Sequence, residues 1–167
     1  MSTLQEEDLI FDVSSSVNAE KFDDNALHGT KSTMKKVDII IEHEDKVVFL
    51  EVKDPDIPGA ANPDQFKQDL QGGKLIPELA GKYRDSFLFT HFRGGYGKPI
   101  NYVVLISMAS LDDALILNRT DTLRSAIPIS HRQWNQDSAA SCMILKLDGY
   151  KKAFGDGSVW RASDIEN

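Results

Sequence analysis

Apolar residues are concentrated in four short runs that are rich in β-branched side chains and bounded by polar or turn-forming residues. The runs are residues 36–43, 46–53, 101–107 and 141–147. Runs of this length and composition predict buried β-strands. A further strand is predicted at residues 86–92.

Helical segments are predicted between these strands, most of them marked by a capping residue near the start. They run from the serines at 14–16 to about Ala26, from Asn62-Pro63 to the interruption at Gly72-Gly73, from Leu75 to about Tyr83, and from Ser110–Asp113 to about Ser125. A short amphipathic segment follows the last strand, and the tail from Gly155 is expected to be loosely held. Strands that alternate with helices predict an α/β fold.

The first two predicted strands form a hairpin whose faces differ in chemistry. A turn centred on Glu44-Asp45 pairs Asp38 with Glu51 across the hairpin. Because side chains alternate along a strand, Lys53 shares the face of Glu51. The opposite face is uniformly apolar and is therefore predicted to be a core surface. Its members are Val37, Ile39, Ile41, Val48, Leu50 and Val52.

The pairing of Asp38 with Glu51 suggests a metal site. Directly opposed side chains have Cβ atoms roughly 4.5–5.5 Å apart, and two carboxylates at that separation repel each other. A divalent cation held by both would relieve the repulsion, and Mg²⁺ prefers such oxygen ligands. A cation of this kind lowers the pKa of bound water and stabilises charge on a phosphodiester, while Lys53 is placed to hold an attacking water. A three-residue turn would shift the pairing and remove this site.

The pattern of Asp38, twelve intervening residues and then Glu51-Val52-Lys53 resembles the PD-(D/E)xK nuclease superfamily, which includes restriction endonucleases and Holliday-junction resolvases. The resemblance spans roughly residues 15–107. It implies a restriction-endonuclease-like αβββαβ core, with a central mixed sheet flanked by helices, and hydrolysis of phosphodiester bonds with Mg²⁺ or Mn²⁺. Asp38 and Glu51 match the metal ligands of that family, and Lys53 matches its catalytic lysine.

The same resemblance implies a further acidic residue on the first helix. Glu20 is the candidate, with Asp23 and Asp24 as alternatives, and an exposed helical acid without a catalytic role is an equally simple interpretation of Glu20. The sequence departs from the family in two respects. Val37 stands where proline is common, and residues 29–35 are too polar to supply a separate strand before Asp38.

Candidate substrate-binding residues come from the basic middle of the chain. Residues 57–99 hold six basic and four acidic side chains, and Lys67, Lys74 and Arg93 are the candidates for contacts with phosphate. The glycine-rich loop at 91–98 either grips a nucleic-acid backbone by charge and stacking or simply joins two elements. The glutamines at 65, 68 and 71 are interpreted as a polar helix face.

Composition limits the possible functions. The chain has 167 residues, one cysteine and a net charge of −7. This length fits one domain, with a core at about 15–107, an extension at 108–154 and the tail at 155–167. The acidic balance argues against nonspecific coating of nucleic acid, although part of it lies in the carboxylate-bearing hairpin itself. A single cysteine favours a reducing, cytoplasmic location, and no apolar run is long enough for a membrane span.

Two functions of different classes follow. The first is a metal-dependent nuclease that acts on nucleic acid, with DNA preferred. The family resemblance implies that such a domain can form a homodimer, which would place two sites on two strands. The second is a catalytically inactive module of the same fold that acts in binding or assembly with a partner protein. The four histidines have no zinc-type spacing, and Cys142 lies in an apolar run that predicts a buried, inert thiol.

Overall fold

The computed structural model describes residues 1–165. The strands in this part of the chain are β1 (Thr3–Glu6), β2 (Leu9–Asp12), β3 (Asn18–Lys21), β4 (Ile39–Glu42), β5 (Val47–Lys53), β6 (Ile100–Ile106), β7 (Ser141–Leu145) and β8 (Val159–Arg161). The helices are α1 (Asn25–His28), α2 (Pro63–Gln71), α3 (Ile76–Phe92), α4 (Asp113–Ala126) and α5 (Leu147–Phe154). No helix among the described residues is long and apolar enough to cross a membrane.

The central sheet has five strands in the order β3-β4-β5-β6-β7. β3, β4 and β5 are antiparallel neighbours, whereas β5, β6 and β7 run parallel. The prediction of an α/β fold with a mixed central sheet is therefore confirmed. Parallel neighbours require crossover connections. α2 and α3 connect β5 to β6, and α4 connects β6 to β7.

The predicted register of the β4–β5 hairpin is confirmed, since Ile39 pairs with Leu50 and Glu42 pairs with Val47. Each face of the sheet is buried in a separate core. One face, including Ile40 and Phe49, packs in the core that α2, α3 and α4 cover. The other face, including Leu50, packs against β2, β8 and α5. The apolar face is thus a core surface for Ile39, Ile41, Val48, Leu50 and Val52, as its pattern predicts, whereas Val37 packs in the opposite core with Ile40 and Phe49.

A second, three-stranded antiparallel sheet has the order β1-β2-β8 and joins the two ends of the chain. The prediction of a loosely held tail from Gly155 is wrong for the residues that are described, because Val159 is buried and pairs with Phe11. Residues 166–167 of that tail lie outside the described residues.

The predicted helix at 14–26 is also wrong. Asn18–Lys21 instead forms the edge strand β3 beside β4, with Ala19 opposite Ile41. Only Asn25–His28 is helical in this region. The serines and alanines that favour helix locally are overruled by pairing with a strongly apolar strand. The core therefore has a strand, rather than a helix, in front of Asp38, and the αβββαβ order predicted from the family resemblance lacks its first helix.

α3 is longer than the sequence predicts, and the predicted strand at 86–92 is wrong. The buried residues of α3 include Leu79, Tyr83, Ser86 and Thr90, which recur at helical spacing. Phe87, Phe89 and Phe92 give this segment the composition of a strand, whereas its buried residues recur at the period of a helix. The breaks at Gly72-Gly73 and the Asn62 cap are confirmed, and the cap of α4 is Asp112 rather than Ser110.

Candidate metal centre and active site

Asp38 and Glu51 lie side by side on neighbouring strands beneath α3. The backbone N–H of Asp38 donates to the Leu50 carbonyl at 3.1 Å, which continues the ladder to the residue before β4. In return, Asp38 Oδ2 accepts the backbone N–H of Val52 at 2.6 Å. Both acidic side chains are buried, and Glu51 is fully enclosed. The hairpin thus brings together two carboxylates in a site with little water.

Two lysines contact the fully buried Glu51. Lys53 Nζ lies 2.9 Å from Glu51 Oε1, and Lys82 Nζ, from α3, lies 2.6 Å from the same oxygen. Lys82 Nζ also lies 3.6 Å from Asp38 Oδ1, so it bridges the two acids. The exposed Glu78 of α3 is 3.7 Å from Lys53. Burial of these acids is therefore tolerated because cations from two elements surround them.

The pKa values of Asp38 and Lys82 reflect the electrostatic cost of burying two acids next to each other. Burial, and after it the adjacent Glu51 carboxylate, raise the pKa of Asp38 to about 7, against the opposing effects of Lys82 and the Val52 N–H. For Lys82, burial lowers the pKa, but the nearby Glu51 and Asp38 outweigh this effect and hold it above its ordinary value. A positive charge is thus favoured between the two carboxyl groups.

The donor set fits a hard divalent cation. Glu51 Oε2 is buried and has no hydrogen-bond partner among the described residues, and an oxygen left in that state is costly. Carboxylate oxygens are the ligands that Mg²⁺ and Mn²⁺ take up readily. Asp38 and Glu51 therefore have the chemistry, and Glu51 has the unused oxygen, to hold such an ion.

Two further acids approach Asp38 from the N-terminal part of the chain. One potential ligand oxygen from each of Glu6, Asp23 and Asp38 lies within 4.8 Å of the others. Burial, followed by the charge of Glu6, raises the pKa of Asp23. Glu6 is partly neutralised by Lys21, whose Nζ lies 2.7 Å away. The acidic group around Asp38 is therefore larger than the hairpin alone provides.

Glu6, Asp23 and Asp38 line a cleft of about 450 Å³. Its walls come from β1, the segment after β3, the end of β5 and the start of α2. The residues that carry the chemistry are Glu6, Asp23, Asp38, Lys53 and Lys82. Asn62 and Pro63, at the amino end of α2, form part of the opposite wall. The cleft thus gives a bound molecule access to Asp38 and to both lysines.

The end of β5 is fixed by the C-terminal strand. Arg161 of β8 makes two bonds to the fully buried Asp54, at 3.0 and 2.8 Å, and one to Asp8 at 3.0 Å. It also donates to Ser107 Oγ at 2.6 Å. Asp54 directly follows Lys53, so this network holds the carboxyl end of β5 and the β1–β2 turn in one arrangement.

Glu20 is not brought to this cleft. It lies on β3 rather than on a helix, and it is ion-paired with Arg93, whose second nitrogen is 3.3 Å from Glu20 Oε2. The Arg93 guanidinium also lies over the rings of Phe22 and Phe89, at 5.7 and 5.6 Å. Arg93 therefore covers the core at Phe22 and Phe89, and it does not line the cleft that contains Asp38. Asp24 caps α1 by accepting the Ala26 N–H, whereas Asp23 is the acid that reaches the cleft.

The other predicted phosphate contacts also lie outside the cleft lining. Lys67 is half-buried on α2, and Lys74 is exposed near Asp69, 3.3 Å away. In the 91–98 loop, Lys98 donates to Glu42 at 2.6 Å. Lys74 and Lys98 are thus engaged with acids of the chain itself.

Sequence reasoning missed Lys82 and Glu6. Lys82 lies near the middle of α3, whereas the sequence predicts that this helix ends at about Tyr83. Glu6 reaches the site through the β1–β2 hairpin, whose packing depends on β8 more than 140 residues later. The one usable signal was the run of helically spaced buried residues in α3, which gives its direction across the sheet.

No protein-family model matches the sequence, and no curated protein matches it significantly. Among solved structures, the fold is similar to the small subunit of the heterodimeric restriction endonuclease R.BspD6I. The sequences are 15% identical, the alignment covers 92% of this chain and 68% of that chain, and the TM-score is 0.41. At this level of similarity the match assigns neither a fold family nor an activity to this chain.

Proposed function

We propose that this protein is a metal-dependent nuclease that hydrolyses phosphodiester bonds, with DNA as the preferred substrate. The observation that carries the proposal is the juxtaposition of Asp38 and Glu51, both buried, with Lys53 bound to Glu51 at 2.9 Å. Enclosing two acids beside a lysine costs stability, and such costly arrangements of ionisable groups are typical of functional sites. Asp38 and Lys53 line an open cleft that a substrate could enter, and Glu51 lies enclosed behind them.

Asp38 and Glu51 are the residues that would hold Mg²⁺ or Mn²⁺, and Glu6 and Asp23 are near enough to Asp38 to assist. A cation there would supply an activated water and would neutralise charge on the phosphodiester. The Val52 N–H fixes Asp38 by its 2.6 Å bond, so one oxygen is oriented by the backbone and the other faces Lys82. This orientation limits the conformational freedom lost on ligand binding.

Lys53 is proposed as the residue that orients the attacking water and stabilises developing negative charge. It is suited to this because its side chain is 26% exposed, so its ammonium meets both Glu51 and the solvent of the cleft. The partly exposed Glu78 lies beyond it at 3.7 Å. A homodimer, which would place two such sites on two strands of a duplex, remains part of this proposal.

Cleavage of plasmid, single-stranded and branched DNA with Mg²⁺ or Mn²⁺ tests the proposal. Wild type should cleave at least one substrate, and Lys53→Ala should lose about a hundredfold or more in rate while staying folded. Lys152→Ala, which removes an exposed lysine of α5 outside the cleft lining, is the matched control and should retain activity. Equal rates for wild type and Lys53→Ala, or no cleavage by either, would exclude the proposed role.

A second candidate is a catalytically inactive module that keeps the fold and acts with a partner protein. The observation in its favour is Lys82, whose ammonium lies between the two carboxylates at 2.6 and 3.6 Å and balances them without any metal. If this is the function, calorimetry should detect no Mg²⁺ or Mn²⁺ binding to wild type. Metal binding together with cleavage favours the nuclease.

A further inference from the structure

Lys82 occupies the space between the two proposed metal ligands. Its Nζ lies 2.6 Å from Glu51 Oε1 and 3.6 Å from Asp38 Oδ1. Among the described residues, Lys82 is the lysine that contacts both acids, whereas Lys53 contacts Glu51 and Glu78. The side chain is 17% exposed and lines the cleft, so its long stem has a path toward solvent. The residue is therefore both tightly engaged and able to move.

We propose that Lys82 is an internal counter-ion that competes with a divalent cation for Asp38 and Glu51, and so sets the metal affinity of the site. This inference rests on the proposed function and adds a residue that controls when the site is loaded. Loading the site requires the Lys82 ammonium to leave Glu51 and swing into the cleft while still charged. In the absence of metal, the same ammonium holds the two carboxylates together.

Electrostatics requires this competition. An ammonium and a divalent cation on the same carboxylate oxygen repel each other strongly in a site of low effective dielectric constant. Glu51 already has Lys53 at 2.9 Å, so a divalent ion would be the third cation on one carboxylate. The unpartnered Oε2 remains free for an ion, but Lys82 still lies close by. Movement of the flexible lysine costs less than distortion of the β4–β5 hairpin, because its methylene stem has many rotamers.

Calorimetric titration with Mn²⁺ of the full chain tests the competition. Lys82→Met should bind Mn²⁺ roughly tenfold or more tightly than wild type, because a repelling charge is removed. Lys82→Arg keeps the charge and should restore weak binding, which separates charge from loss of packing. Lys98→Met is the matched control, because Lys98 pairs with Glu42 at 2.6 Å on the same sheet face with similar exposure. It should bind Mn²⁺ like wild type.

A second measurement uses the wild-type protein and does not depend on the folding of a variant. Acetylation of lysines at fixed pH, followed by mass spectrometry, reports how accessible each ammonium is. Saturating Mn²⁺ should increase the labelling of Lys82, since the ion displaces it, and should leave Lys98 unchanged. Bound Mn²⁺ with unchanged or reduced labelling of Lys82 overturns the inference.

The outcomes separate the two proposals. If wild type binds Mn²⁺ and cleaves DNA while Lys82→Met binds no more tightly, the role of Lys82 is wrong and the nuclease proposal stands. If Lys82→Met binds Mn²⁺ and wild type neither binds it nor cleaves, the competition is supported and the active nuclease is not. If neither protein binds Mn²⁺, both proposals fail.

Discussion

Arg161 holds Asp54 in a two-pronged ion pair, with nitrogen–oxygen distances of 3.0 and 2.8 Å, although the two residues are 107 positions apart in the chain. Asp54 is fully buried and comes directly after Lys53. The pair therefore connects the last strand of the protein to the strand that carries the proposed catalytic lysine.

Replacement of Arg161 by alanine should destabilise the fold by about 3 kcal/mol, because the buried Asp54 carboxylate would lose its main partner. Thermal unfolding followed by circular dichroism measures this loss. Lys74→Ala is the matched control, since Lys74 is 73% exposed and its pair with Asp69 should contribute less than about 1 kcal/mol. Equal unfolding temperatures for Arg161→Ala and wild type would contradict the proposed anchoring of β5.

Asp38 should make the metal-free protein less stable as pH rises. Its pKa is raised from 3.8 to about 7 on folding, so between these values the folded protein keeps a proton that the unfolded chain releases. Stability contributed by this group is complete below pH 4 and is lost as pH rises through about 7. In a chelating buffer at pH 8, Asp38→Asn should exceed wild type in stability by roughly 2–4 kcal/mol.

At pH 4 the difference between Asp38→Asn and wild type should nearly disappear, and urea unfolding at the two pH values measures it. Asp45→Asn, in the exposed turn of the same hairpin, is the control and should change stability by less than about 0.5 kcal/mol. A stability gap for Asp38→Asn that is independent of pH would show that Asp38 is not the titrating group.

Glu6, and not Glu20, is the glutamate from the N-terminal part of the chain that is expected to affect metal binding. Glu6→Gln should weaken Mn²⁺ binding by roughly threefold to tenfold, because its carboxylate lies within reach of Asp38 and Asp23 and adds negative charge there. Glu20→Gln changes the same residue type on an ion-paired strand outside the cleft and should leave Mn²⁺ binding unchanged. A larger effect from Glu20→Gln than from Glu6→Gln would identify Glu20 as the further acidic residue, as the family resemblance implies.

The hairpin was predictable because its information is local. Alternating faces and a two-residue turn determine that Asp38 meets Glu51, and the pairing of Ile39 with Leu50 confirms that register. β3 was not predictable in the same way, since the four residues Asn18–Lys21 have little strand propensity and gain order from β4. Lys82, Glu6 and Arg161 reach the site only through contacts between distant segments. The carboxylate pair could therefore be inferred from sequence, whereas its counter-ions could not.

The most direct measurement is diffraction from crystals soaked in Mn²⁺, with anomalous data collected near the manganese edge. The account predicts an anomalous peak at about 2.1 Å from oxygens of Asp38 and Glu51, with the Lys82 ammonium moved away from Glu51 into the cleft. The same soak of Glu51→Gln should lose the peak or reduce it strongly. A wild-type crystal at saturating Mn²⁺ with no peak at these carboxylates, and with Lys82 still between them, would contradict the account.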